Sequence, residues 1–226
     1  PESAADFFVE EAAGPEGMDV ATVIADVWGT SDPASTANWV ESLPEGAVRD
    51  QAAGVLATVW ATRDVDAASK WSATIENDSM RQQVIAHLGT TWGALEPDRA
   101  IEWLASLPYQ EAETGLKGAF NSWGVVDRPG MMDWVESAEA STIVDQARRS
   151  LADVVSQDDL LLAIDLSMGI SDETARVDAV ARYFRHWRKL DDASAQEWLN
   201  EVWSEAPAEL QERLDQEQKA IVVPRN

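Results

Sequence analysis

The chain has 226 residues, with 41 acidic and 17 basic side chains and a formal net charge of −24. This charge disfavours polyanionic partners, so we expect neither nucleic acid nor an anionic membrane surface to bind. The absence of cysteine excludes disulfides, thiolate metal sites and a cysteine nucleophile. The sequence also lacks the run of about 18 apolar residues that a transmembrane helix requires.

Tryptophan is the residue type that reveals the organisation of the chain. Ten of the eleven tryptophans form pairs in which the two members are 11 residues apart. These pairs are Trp28 and Trp39, Trp60 and Trp71, Trp92 and Trp103, Trp123 and Trp134, and Trp187 and Trp198. In the one double-length gap, Val155 and Leu166 take the expected places. We call the two sets of positions the first and second columns, and they predict six repeats of about 32 residues starting near residues 28, 60, 92, 123, 155 and 187.

An acidic residue follows each first-column position by four residues. These acids, which we call the acid column, are Asp32, Asp64, Glu96, Asp127, Asp159 and Asp191. Asp32 precedes Pro33, and this combination is typical of an N-cap followed by the first helical position. A short helix is predicted from Pro33 to the Leu43-Pro44 step, and a longer helix over residues 47–62. Each repeat therefore pairs a helix of about 11 residues with one of about 16.

Helices of these lengths are marginally stable alone and must bury their apolar faces against neighbours. We therefore predict an all-α fold, a right-handed or left-handed α-solenoid of stacked antiparallel helix pairs with about 12–13 helices. The whole chain, residues 1–226, is expected to form a single repeat domain. Its three parts are N-terminal cap helices in 1–27 (one of them at 6–11), six two-helix repeats in 28–206, and a C-terminal capping helix and tail in 207–226.

Two repeats carry a recognisable turn. Asp32-Pro33 is followed by Trp39 six residues after the proline, and Glu96-Pro97 is followed by Trp103 at the same spacing. This pattern resembles the tetratricopeptide-like α-solenoids, although the period here is 32 rather than 34 and the Leu-Gly and Tyr positions of that family are missing. The resemblance covers residues 28–206 as architecture. It implies a scaffold that presents a groove to a protein or peptide.

One basic cluster interrupts the acidic sequence. Its members are Arg182, Arg185, His186, Arg188 and Lys189. We predict that these residues bind a partner, either an acidic protein or the acidic N-terminal region of a second copy in a head-to-tail self-association. The alternative is pairing within the chain, with Asp191, Asp192 and nearby acids.

The remaining patterns favour structure over chemistry. The tryptophans are interpreted as packing residues rather than a ligand-stacking ladder, and the acid column as helix caps rather than a row of catalytic carboxylates. Arg49, Arg81 and Arg176 follow a first-column position by 21 residues and are expected to pair with those acids. The two histidines, His87 and His186, have no metal-binding spacing. We predict no catalytic residue, no metal and no cofactor.

These observations lead to one leading hypothesis about function. It is a non-enzymatic protein–protein interaction scaffold that binds a partner polypeptide in the superhelical groove. Two alternatives stay open, a helical accessory domain of a larger enzyme and an acidic mimic of nucleic acid. The start at Pro1 rather than Met favours loss of a leader or of an N-terminal domain, and hence a bacterial envelope or periplasm over the cytoplasm.

Overall fold

The computed structural model describes residues 15–221, which form thirteen α-helices and no strand. The predicted all-α fold is confirmed. Residues 1–14, with the helix predicted at 6–11, and residues 222–226 lie outside the described residues. The helices are α1 (Pro15–Ser31), α2 (Pro33–Ser42), α3 (Ala47–Ala61), α4 (Val65–Ser72), α5 (Asp78–Leu95), α6 (Pro97–Ala105), α7 (Tyr109–Val126), α8 (Arg128–Ser137), α9 (Thr142–Val155), α10 (Leu160–Met168), α11 (Glu173–Leu190), α12 (Asp192–Val202) and α13 (Ala208–Ile221).

Long and short helices alternate through the repeats. The long helices α1, α3, α5, α7, α9 and α11 have 14 to 18 residues, and the short helices α2, α4, α6, α8, α10 and α12 have 8 to 11. Each first-column residue lies in the last turn of a long helix, and each second-column residue lies in a short helix. The repeat read from the tryptophans therefore coincides with the helix boundaries.

The acid column marks the junction between a long helix and the following short one. Asp32 has φ −147° and ψ 80°, which takes the backbone out of the helical region for one residue. Its backbone N–H donates to the Trp28 carbonyl oxygen at 2.8 Å, while its side-chain oxygen accepts from the Ser35 backbone N–H at 3.1 Å. One residue thus ends α1 and caps α2, so a connection of a single residue is enough to join the two helices.

The chain divides into two compact units, residues 1–126 and residues 127–226. In the first unit the long helices α1, α3, α5 and α7 pack successively on one another, and α2, α4 and α6 pack against the long helices that flank them in sequence. Side-chain contacts join residues about one repeat apart. Trp71 Nε1 donates to Glu41 Oε1 at 2.9 Å, and Ser79 Oγ donates to Asp50 Oδ2 at 2.8 Å.

Glycine allows a close contact between α5 and α7 in the first unit. A Cβ atom added to Gly89 on α5 would lie 2.4 Å from the Gly115 carbonyl oxygen on α7. One added to Gly93 would lie 2.4 Å from the Ala119 Cα atom. Because real Cβ atoms do not approach other atoms so closely, α5 can lie this near the backbone of α7 only because Gly89 and Gly93 have no side chain.

The second unit is assembled differently. Helices α9 and α11 both pack on the short helix α10, and α11 also contacts α12 and α13. Large side chains such as Leu151 and Phe184 are fully buried here. Tyr183 on α11 donates its hydroxyl hydrogen to Asp153 on α9 at 2.6 Å, so side chains bridge the two long helices. That a single repeat domain covers both units stays a prediction.

None of the helices in the described part of the chain is both long enough and apolar enough to cross a membrane. The long helices carry polar residues on the side that faces solvent. In α5, for example, Gln82, Gln83 and Thr90 are exposed while Val84 and Leu88 are buried. This division between faces is that of helices packed against a protein core.

Candidate functional site

The tryptophan columns lie at the junctions of the helix pairs. The rings of Trp60 and Trp71 stack with their centroids 5.7 Å apart, and those of Trp92 and Trp103 are 5.6 Å apart. The pairs Trp28–Trp39 and Trp187–Trp198 both have separations of 6.3 Å. Six of the ten column tryptophans are buried: Trp28, Trp39, Trp71, Trp92, Trp123 and Trp198. Such rings pack against each other, which is how tryptophans join helices in a core.

Most residues of the acid column cap the short helix that follows them. Five of the six acids accept a hydrogen bond from a backbone N–H of the short helix that follows, namely Asp32, Asp64, Asp127, Asp159 and Asp191. Glu96 forms no such side-chain cap within the described residues, and its carboxylate instead accepts from Arg99 at 2.6 Å. The described side chains include no group of three or more His, Asp or Glu residues placed to hold a metal ion.

The arginines that follow the first column by 21 residues do not pair with the acid column as expected. Arg81 Nη1 donates to the Ile75 carbonyl oxygen at 2.9 Å, and Arg176 Nη1 donates to that of Ile170 at 2.8 Å. Each acceptor lies in the turn between a short helix and the next long one. The guanidinium group therefore holds this turn by donating to one of the carbonyl oxygens of the turn itself.

The basic cluster lies on α11, where three of its arginines pair with acids of the same unit. Arg185 donates two hydrogen bonds of 2.6 Å to the carboxylate of Glu217 on α13. Arg182 lies 3.0 Å from Asp153. Arg188, with a side chain only 8% exposed, donates to Asp192 at 2.6 Å. These pairs neutralise the three arginines of the basic cluster, whose positive charge was the reason to predict an external partner.

The other two members of the cluster face solvent. His186 and Lys189 are exposed and form no ion pair with any described side chain. With Arg182, Arg185 and Asp153 they line a pocket of ≈ 350 Å³. The geometry brings all members of the basic cluster onto one helix, but it gives three of them internal acceptors. Partner binding or self-association through this cluster stays a prediction.

Comparison with known proteins finds no family model, no curated protein and no solved structure that matches this chain. A candidate surface must therefore be sought in the residues themselves, and the distribution of acidic side chains offers one. The thirteen acids between residues 32 and 126 all lie in the segments 32–50, 64–78 and 96–113. The parts of α3, α5 and α7 between these segments contain none, although the protein as a whole is strongly acidic.

The acid-free parts of α3, α5 and α7 share a solvent-facing stripe of helical period, which we call the uncharged face. Its members are exposed or half-buried and carry small, apolar or amide side chains, with one histidine. They are Gln51, Val55, Thr58 and Thr62 on α3, Gln83, His87, Thr90 and Ala94 on α5, and Thr114, Gly118, Asn121 and Val125 on α7. Because these helices pack side by side, the three stripes form one continuous surface of the first unit.

Contacts between neighbouring helices hold side chains of the uncharged face in place. His87 lies against Gly54, where a Cβ atom would be only 2.5 Å from His87 Nε2, and its Nδ1 is 3.3 Å from Thr58 Oγ1. Burial lowers the pKa of His87 below its ordinary value, which keeps the ring neutral near pH 7. Ser122 Oγ donates to the Thr90 carbonyl oxygen at 2.8 Å, which ties α7 to α5.

The sequence contained a signal for this face that the reasoning from sequence did not use. In a chain with 41 acids, the stretches 51–63, 79–95 and 114–126 have no Asp or Glu. These stretches recur with the period of the repeat. They contain the basic residues Arg63, Arg81 and Lys117 but no acid. A periodic absence of acids indicates a shared surface, just as a periodic tryptophan indicates a shared core position.

Proposed function

We propose that this chain is a non-enzymatic interaction scaffold, a tetratricopeptide-like α-solenoid that binds a partner polypeptide on the uncharged face of α3, α5 and α7. The uncharged face carries the proposal. Acidic side chains elsewhere keep the protein hydrated, so a periodic surface without them needs a separate explanation. The cores of protein interfaces are depleted in charged residues because charges are costly to desolvate.

The side chains of this surface suit a polypeptide. Gln51 and Gln83 carry exposed amides that both donate and accept hydrogen bonds, as the peptide main chain does. Thr90 and Thr114 are small, exposed side chains that leave room for a main chain to approach the helices. The solenoid part of the proposal is supported by the packing of successive helix pairs, in which contacts join residues about one repeat apart. Such stacking places equivalent side chains of successive repeats along one surface.

The test introduces acids onto the uncharged face. Peptides are first selected for binding from a random display library, and their dissociation constants are then measured by calorimetry. The variant carries Gln51→Glu, Gln83→Glu and Thr114→Glu, all at exposed positions. We expect binding to weaken by at least tenfold, because three carboxylates would have to be desolvated or left unpaired in the complex.

A matched variant controls for net charge. Ala34→Glu, Asn38→Glu and Ala105→Glu add the same three charges at exposed positions of the short helices α2 and α6. This control should bind the selected peptides within about twofold of the wild type, because screening weakens the effect of distant surface charges. Failure to select any peptide, or equal losses in both variants, would contradict the proposal.

A further inference from the structure

A second surface of the first unit is a pocket of ≈ 690 Å³ between the ends of α2 and α4 and the starts of α3 and α5. Four acids and one arginine line it, together with Met80 and the turn around Asn77. The charged residues are Glu41, Glu45, Glu76, Asp78 and Arg49. Four negative charges and one positive charge give a formal total of −3, so the pocket disfavours an anionic ligand.

Arg49 is the unusual residue of this pocket. Its side chain is only 8% exposed, yet its guanidinium group forms no hydrogen bond to any described residue, and the Nε atom is buried without an acceptor. The nearest carboxylate oxygens are those of Glu45 at 3.6 Å and Asp50 at 4.0 Å, which exceed hydrogen-bond distance. A buried guanidinium with unused donors is costly unless an acceptor is supplied.

The repeat itself shows which acceptor an arginine takes at this position. Arg81 and Arg176, which occupy the same place in other repeats, both donate to a peptide carbonyl in the preceding turn. The corresponding turn before Arg49 contains Gly46, which has φ +140° and caps α3 without a side-chain hydrogen bond. No carbonyl of the changed turn bonds to Arg49, so its guanidinium group keeps unused donors.

The acids around Arg49 retain capacity to accept further hydrogen bonds. Glu41 accepts from Trp71 and Glu45 accepts from Asn77 at 3.1 Å, while a carboxylate can accept about four bonds. Glu76 is exposed and has no partner among the described side chains. The pocket therefore offers carboxylates for a cationic group beside a donor for a carbonyl oxygen.

We propose that this pocket binds a basic segment of the partner polypeptide. A main-chain carbonyl of the segment accepts from Arg49, and a lysine or arginine side chain lies among Glu41, Glu45, Glu76 and Asp78. This inference rests on the proposed function in that the ligand is a polypeptide. It adds the chemistry of that partner, which is basic and complements the net charge of −24.

The test compares two cations, one with peptide carbonyls and one without. The probes are an acetylated and amidated (Lys-Gly)₃ peptide and spermine, titrated by calorimetry at low salt against the wild type and Arg49→Gln. If Arg49 only contributed charge, its removal would tighten the binding of both cations. We expect the peptide to bind about tenfold more weakly to Arg49→Gln, because a charged hydrogen bond is lost, and spermine to bind equally or more tightly.

Two further variants guard against misfolding and nonspecific attraction. Arg99→Gln removes an arginine of the same unit outside the pocket and should not weaken the binding of the peptide. Glu76→Gln should weaken both probes, whereas Glu102→Gln, an exposed position outside the pocket, should change neither by more than about twofold. The unfolding temperature of each variant shows whether a loss of binding reflects a loss of structure.

A measurement on the wild-type protein needs no variant. Methyl-labelled methionine gives five signals, and the peptide should shift that of Met80, which lines the pocket, while leaving those of Met131 and Met168 in place. The proposal is overturned if Met80 does not respond, if it responds to calcium chloride but not to the peptide, or if Arg49→Gln binds the peptide as tightly as the wild type. If display-selected peptides still need the uncharged face in that event, the proposed function stands without this inference.

Discussion

The two units use the same repeat position in opposite ways. The residue directly after the first column is Gly29, Ala61, Gly93 or Gly124 in the first unit, and each is buried. In the second unit it is Ser156 or Arg188, and Arg188 reaches Asp192 and the Glu217 carbonyl oxygen. At this position Gly93 lets α5 approach the backbone of α7, whereas the side chain of Arg188 connects α11 to α12 and α13. The same repeat position thus holds small buried residues in the first unit and polar residues in the second.

This difference predicts that added volume harms the first unit most. Gly93→Ala would place a Cβ atom 2.4 Å from the Ala119 Cα atom. Alanine favours a helix over glycine by up to about 1 kcal/mol, but overpacking against backbone costs about 1–3 kcal/mol or more. We expect a net loss of about 2 kcal/mol, with faster hydrogen exchange in α5 and α7.

The control for Gly93→Ala is Ser156→Ala at the same repeat position of the second unit. Ser156 is half-buried, and its hydroxyl bonds only to the Asp153 carbonyl oxygen of its own helix. Its replacement should change the free energy of unfolding by less than about 0.5 kcal/mol in urea denaturation. Equal effects of the two substitutions would remove the distinction between the units.

The second unit should be more sensitive to the loss of one charge. Glu217 is 5% exposed and accepts two hydrogen bonds from Arg185, with Arg213 also 3.3 Å away. Glu217→Gln keeps the shape but removes the charge, and we expect it to cost about 2 kcal/mol. Glu209→Gln, at an exposed position of the same helix α13, should cost less than about 0.5 kcal/mol.

Acid titration tests the same contact. Hydrogen bonds from Arg185 lower the pKa of Glu217 below its ordinary value of 4.5. The unfolded chain therefore binds a proton more readily, so this contribution to stability is present above about pH 4.5 and is lost as the pH falls below it. The difference in unfolding free energy between the wild type and Glu217→Gln should shrink over that range. A constant difference would mean that the charge of Glu217 is unimportant.

The smallest expected effect is a pH dependence of the first unit at milder acidity. Burial lowers the pKa of His87 below its ordinary value of 6.5. Protonation of His87 then favours the unfolded state. The contribution of the neutral ring to the free energy of unfolding is therefore present above about pH 6.5 and is lost as the pH falls through the lowered pKa. Between pH 7.5 and 5.5 the unfolding temperature of the wild type should fall more than that of His87→Gln. His186→Gln, at an exposed position of the second unit, should behave like the wild type.

The sequence was sufficient to predict the parts of the fold that depend on neighbouring residues. An N-cap such as Asp64 bonds a backbone N–H three residues away, so Asp64, together with the period of the tryptophans, predicts where α4 begins. The Leu43-Pro44 step likewise predicts where α2 ends, since proline cannot continue a helix. The absence of acids from residues 79–95 is also visible in the sequence. Which of these residues are exposed, however, depends on which side of α5 faces solvent, and only the structure shows this.

Tertiary structure decided the contacts between residues a repeat apart. Arg185 lies among several acids in the sequence, yet its acceptor is Glu217, 32 residues away on α13. Arg49 has the same repeat position as Arg81 but differs in its bonds because a single turn changed. Helix caps and apolar periodicity act within one or two helical turns and so can be read locally. The partner of a side chain depends on how helices stack, and this is settled by the space that their packed side chains leave.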